Sequence, residues 1–185
     1  MGTRSLSPIS VQAKLTTTIQ NLLDASSTGT VAVDVGDTIT KSPTSGTAAD
    51  KADRCWTDKG RTLTSGNSED IDVYDFGSLD IGAGAGLDPL GQALALAEIV
   101  AMLIQNSSAS AGDLVVGGKG TTAAWNSLFN ADDDAVLVIK PGGFVLLYAP
   151  TDPAYAVADT ANHLLKMAAS GGDVTYDIHI LGRSA

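Results

Sequence analysis

The feature that most constrains this chain is a hydrophobic rhythm of two residues. Near the N-terminus Ile9, Val11, Ala13, Leu15 and Ile19 alternate with Ser10, Gln12, Lys14 and Thr16, and Thr17 fills the one gap. That pattern places apolar side chains on one side of an extended strand and polar ones on the other. A helix needs spacings of three and four, and the run Thr16-Thr17-Thr18 is β-branched and a poor helix former. Near the C-terminus the rhythm returns: Val174, Tyr176, Ile178 and Ile180 share one face, and Thr175, Asp177, His179 and Leu181 the other.

Between these ends lie short β-prone runs separated by turn residues. Thr30 to Val35 and Asp37 to Lys41 read as two strands broken by Gly36, after a small, polar turn at Asn21 to Gly29. Ala49 to Leu63 mixes charges around Trp56 and reads as an irregular segment pinned by that indole. Ser68 to Leu79 alternates again, with Ile71, Val73 and Asp75 opposite Asp72, Tyr74 and Phe76. In Ala93 to Asn106, Leu94, Ala97, Val100 and Leu103 have helical spacing, so a short helical turn is expected near Leu96 to Ile99, followed by a strand into Asn106. Asp113 to Val116, Ala135 to Ile139, Phe144 to Ala149, His163 to Ala168 and Val174 to Leu181 complete the series. Lys140-Pro141-Gly142-Gly143 and Ser170-Gly171-Gly172-Asp173 are among the turns between them. The expectation is an all-β protein, an antiparallel β-sandwich or jelly roll of about nine or ten strands, with at most one short helix. Residues 1–22 are expected to form an N-terminal strand or arm, and residues 23–185 a single sandwich domain. Ile81 to Gly91, with Asp88-Pro89, is the best candidate for a hinge or long crossover loop.

Composition narrows the function. The 185 residues carry 11 Lys and Arg against 21 Asp and Glu, a formal charge of −10. Such a chain is a poor match for nucleic acid or an anionic membrane, both of which demand concentrated positive charge. The longest apolar run, Ala93 to Gln105, contains Glu98 and is too short to span a bilayer. Met1 to Pro8 has no apolar signal segment, so synthesis in a cytoplasm is expected. Cys55 is the single cysteine, which excludes an intrachain disulfide and a Cys-rich zinc site.

Residues with chemistry are few. Asp177 and His179 fall on one strand face and could orient an imidazole or join a metal site, but no third ligand accompanies them; a polar cross-strand pair is the plainer reading. His163 is expected at a loop or strand edge. Asn130 to Asp134 supplies oxygen ligands in one loop without the spacing of a calcium-binding hand, and reads as a solvated turn. Gly82-Ala83-Gly84-Ala85-Gly86 has Leu87 where a dinucleotide fingerprint needs its third glycine. Gly117-Gly118-Lys119-Gly120 lacks the spacing of a phosphate loop and reads as a hairpin turn. Cys55 beside Arg54 has no histidine adjacent in sequence. No catalytic residue, cofactor or metal site is therefore expected. Trp56 and Trp125 are named as candidate interface anchors, since indoles are enriched at binding hot spots, with a core position as the alternative.

Three stretches carry a family resemblance. They are Ala52 to Leu63 with Ser68-Glu69-Asp70-Ile71-Asp72; Asp88-Pro89-Leu90-Gly91 running into Val100 to Asn106; and Lys140 to Leu147, then Ala154 to Ala158, then Val174-Thr175-Tyr176-Asp177-Ile178. Together, across roughly residues 10 to 182, the sequence resembles the small virion structural proteins of tailed bacteriophages. The resemblance implies a non-enzymatic capsid decoration (cement) protein on the outside of the head. Its partners would be the major capsid protein and further copies of itself, as a homodimer or homotrimer. On this view Ile9, Val11, Ala13, Leu15 and Ile19 are candidate contacts, buried in their own sheet or against a neighbour. The alternatives are a tail-tip or head-fibre adhesion module binding host glycan, suggested by Trp125, Tyr155 and Asp132 to Asp134, and a cupin-like enzyme using His163 and His179.

Overall fold

The computed structural model describes residues 5–22, 30–77, 93–120, 123–130 and 132–184, with backbone alone at 16–22 and 30–35. Eleven strands and no helix occur among the described residues. The chain divides into two units, Pro8–Ser42 and the remainder. The hinge region at 81–91 and the glycine run at 82–86 lie outside the described residues, as does most of the turn at 21–29.

The smaller unit is one long hairpin. β1 (Val11–Leu22) pairs antiparallel with β2 (Thr30–Lys41) in an unbroken register from Val11↔Lys41 to Leu22↔Thr30. Residues 30–41 thus form one strand and not two. Gly36 at φ 151° stays within the ladder, opposite Thr16, instead of breaking it. The expected arm is the first half of this hairpin.

The larger unit is a β-sandwich. One sheet has the order β4-β10-β6-β7 and the other β3-β11-β5-β8, where β9 also pairs with β5. The strands are β3 (Arg54–Leu63), β4 (Ser68–Asp72), β5 (Leu96–Asn106), β6 (Asp113–Gly117), β7 (Val136–Ile139), β8 (Phe144–Tyr148), β9 (Tyr155–Ala156), β10 (Leu164–Ser170) and β11 (Val174–Ser184). Alternating residues from both sheets make one core: Ile71, Leu114, Val116, Leu165 and Met167 from the first, and Trp56, Ile99, Met102, Ile104 and Tyr176 from the second. The expected inward face of β11, Val174, Tyr176, Ile178 and Ile180, is buried throughout.

Several local expectations are overturned. Ala49 to Leu63 is not irregular, because residues 54–63 form β3 at the edge of the larger sheet. Trp56 and Leu63 enter the core, and Arg54, Asp58 and Arg61 share their side of the strand, where Arg61 pairs with Asp58 and Glu69 at the sandwich edge. Leu96 to Ile99 is strand and not a helical turn. In its pairing with β11, Leu96 and Glu98 face Ser184 and Arg183, and Ile99 and Ala101 face Gly182 and Leu181. Ala97 and Val100 are therefore the extra residues of two bulges three positions apart, and that spacing is what imitates a helix. Gly117-Gly118 does not close a tight hairpin either; it begins the long connection of residues 118–135 between β6 and β7. Phe76 is also buried, against the alternation expected there, because β4 stops at Asp72 and the chain turns before Phe76 at φ 60°.

Candidate interaction surfaces

The contacts named from the sequence separate into buried and exposed sets. Trp56 and Trp125 are 1% and 2% exposed, so neither is a surface anchor. Trp56 stacks on Phe76 with centroids 4.2 Å apart, inside the sandwich. Trp125 meets Tyr155 edge to face at 6.3 Å and donates its indole N–H to the Ala156 carbonyl at 3.0 Å. With so few aromatic residues in the chain, the core takes both indoles. On the hairpin Val11 is buried and Ile9 half-buried, whereas Ala13 is exposed and Leu15 is 81% exposed. Ile19 lies in the ladder opposite Val33, and its side chain is outside the described part.

The hairpin contributes a second residue that the sequence reading missed. Ile39 sits directly across from Ala13 on β2, and it is 52% exposed. The alternation Asp37-Thr38-Ile39-Thr40-Lys41 was the available signal. Its face, Asp37, Ile39 and Lys41, lies across from Leu15, Ala13 and Val11. One side of the hairpin therefore presents apolar residues that this chain leaves uncovered at Leu15 and Ile39.

The sandwich has its own exposed apolar positions on its edge strands. Val136 and Val138 are 52% and 46% exposed on β7, the edge of the smaller sheet. Phe144 is 66% exposed on β8, the edge of the larger sheet, where it pairs with Gln105. Leu146 and Leu103, paired with each other, are half-buried on the same outward face. β7 and β8 join through Lys140-Pro141-Gly142-Gly143, where Gly142 has φ 78° and the Gly143 N–H reaches the Lys140 carbonyl at 2.8 Å. This is a type II turn, with proline and glycine at the positions that geometry favours. It carries the chain from one sheet to the other.

Polar clusters in the sandwich act as fasteners. Arg183 is 2% exposed and every arm of its guanidinium is used. Nε donates to the Lys51 carbonyl at 3.1 Å, Nη2 to the Thr151 carbonyl at 2.6 Å, and Nη1 pairs with Glu98. Arg61 on β3 pairs with Glu69 on β4 and with Asp58 at 2.7 Å, while the Tyr176 hydroxyl donates to Glu69 at 2.6 Å. This cluster joins the two sheets. Burial, reinforced by the bond to Glu69, holds the Tyr176 phenol above its ordinary range. For Arg61, burial opposes the charge, but Glu69 and Asp58 outweigh it and keep the guanidinium protonated.

The histidines fall on different sheets. His179 on β11 is hydrogen-bonded to the Thr57 hydroxyl on β3, and burial, then Lys59, lowers its pKa. Its neighbour Asp177 accepts the Gly60 N–H at 2.8 Å across a bulge. His163, just before β10, lies 3.8 Å from Asp72, whose carboxyl is raised mainly by burial. In the acidic run, Asp132 accepts the N–H groups of Asp134 and Ala135 at 3.0 and 3.2 Å, and Asp133 accepts the Asn126 amide at 2.7 Å. These carboxylates shape their own loop. Among the described residues no group of three or more His, Cys, Asp or Glu is placed to hold a metal ion. A search of protein-family models, curated proteins and solved structures found no match to this chain.

Proposed function

We propose that this chain is a non-enzymatic capsid decoration protein of a tailed bacteriophage, bound to the outside of the head as an oligomer and bridging capsomers. The observation that carries the reading is the separate hairpin, whose Leu15 and Ile39 stay exposed although the sandwich has completed its own core. An apolar strand face left open in one chain suits contact with another. Exposed Phe144 on one sheet and exposed Val136 and Val138 on the other give the sandwich further apolar positions open to contact. A charge of −10 suits the exterior of a shell and not its DNA-facing side. Contacts this small gain strength by repetition over a lattice. The same reading takes the body as a variant of the jelly roll, its chain crossing repeatedly between two sheets.

The features that motivated an adhesion module do not favour it: Trp125 is buried, Tyr155 packs on it, and the acidic loop is engaged in its own turn. The test is quantification of this chain in purified particles. Hundreds of copies per head are expected, about the order of a lattice multiplicity. A handful per virion overturns the proposal. Deleting residues 8–42 is expected to release the protein from heads while the remaining sandwich stays folded.

A further inference from the structure

The exposed hairpin face has a charge order that is complementary to itself. Along β2 it reads Asp37, Ile39, Lys41, and the directly opposite residues of β1 are Leu15, Ala13 and Val11. Ala13, Leu15, Asp37, Ile39 and Lys41 are exposed, while Val11 is already covered. We propose that this face docks on the same face of a second copy, antiparallel, about a twofold axis passing the Ala13–Ile39 pair. Such an axis stacks Ile39 on Ile39 of the second copy. It sets Lys41 over Asp37 of the second copy, and Asp37 over Lys41, giving two reciprocal ion pairs. Leu15 then lies over the Val11 end of its mate. Rotating one copy by half a turn within the plane of contact instead lays Asp37 over Leu15 and Lys41 toward the covered Val11, so that neither charge meets its opposite. Charge order thus selects the antiparallel arrangement, in which each ion pair is repeated by the twofold axis.

Two further observations favour a second copy over a foreign partner. The unit Pro8–Ser42 holds Lys14 and Lys41 against Asp24, Asp34 and Asp37, so it is close to neutral, while nearly all of the −10 charge lies on the remainder. The hairpin faces themselves thus bring little net charge together. In addition, a lone two-stranded ribbon is marginal in water and gains from any layer laid on it. Extended strands rise about 3.4 Å per residue, so the shared face covers on the order of 150–200 Å² per copy. Over both copies that is about 300–400 Å², far below the roughly 1,200 Å² total of a stable free complex. The contact is therefore weak, and shows itself at high local concentration. It supplies a self-contact for the decoration reading without resting on it.

The experiment is disulfide trapping with the full chain. Ile39→Cys under mild oxidation is expected to give a dimer whose two copies are linked to each other at position 39, identified by mass. The background is set by the wild-type chain with its single Cys55. Leu15→Cys, which does not meet itself across the axis, is expected to trap far less. Adding Asp37→Lys to Ile39→Cys should slow trapping about tenfold by turning both ion pairs into repulsion. Adding Lys41→Asp as well should restore it. Absence of a link between the two position-39 peptides, equal trapping from the two single variants, or no rescue by the double exchange overturns the inference. The result is independent of the particle. A chain that traps as described but is absent from heads keeps this contact and loses the decoration role.

Discussion

The hairpin and the sandwich are written in the same two-residue rhythm, yet they end differently. In β10, Leu165, Met167 and Ala169 alternate with less buried neighbours and are covered by the facing sheet. In β1, Ala13 and Leu15 alternate just as regularly and remain exposed. The strand pattern is equal; the covering layer is not. Alternation establishes that a face is apolar, but burial needs a second surface at about 10 Å, and among the described residues the sandwich supplies one for its own strands. A stable core and an unsatisfied face thus arise from one local code.

Substitutions can test this contrast. Both tryptophans lie in the sandwich, so their fluorescence follows that unit alone. The largest effect is expected from Glu98→Ala, which leaves the buried Arg183 guanidinium without its carboxylate. A loss of about 3–5 kcal/mol is expected in a urea titration followed by fluorescence. Gly182→Ala comes next. A Cβ there would lie 2.6 Å from the Glu98 carbonyl oxygen and 2.8 Å from Leu96, between β11 and the bulged stretch of β5. Overpacking of this kind costs about 1–3 kcal/mol. Leu15→Ser with Ile39→Ser should move the same midpoint by less than about 0.5 kcal/mol, since neither residue is covered. A larger shift would break the comparison, because it would tie the hairpin face to the stability of the sandwich.

The smallest effect concerns pH. His179 has a lowered pKa from burial and Lys59, so its neutral form is favoured in the folded chain. The stability this provides is fully present above the ordinary histidine pKa and is lost as pH falls through the lowered value. His179→Gln is expected to flatten the midpoint between about pH 7 and pH 5. An unchanged slope would show that the Thr57–His179 bond is indifferent to protonation.

Much of the fold was legible because turns and alternation are local. The inward face of β11, the turn at Lys140 to Gly143 and the strands at 113–117, 136–139 and 144–148 all stand close to where the residues place them. Two bulges at Ala97 and Val100 gave the start of β5 a helical spacing, and the mixed charges of β3 disguised that strand as an irregular segment. Ile39 was missed because one isoleucine between threonines carries no sign of its opposite number.

By itself the sequence determined that this chain pleats, where it turns, and which side of each strand is apolar, since these follow from nearest-neighbour sterics and side-chain periodicity. Only the tertiary structure decided partnership. β7 and β8 are joined by a short turn but belong to different sheets, and the last strand, β11, lies between β3 and β5. It also decided that both indoles go inside and that Leu15 and Ile39 stay out. Pairing and coverage are settled by surfaces far apart in the chain, whose fit is a property of the whole assembly of strands and of no single segment.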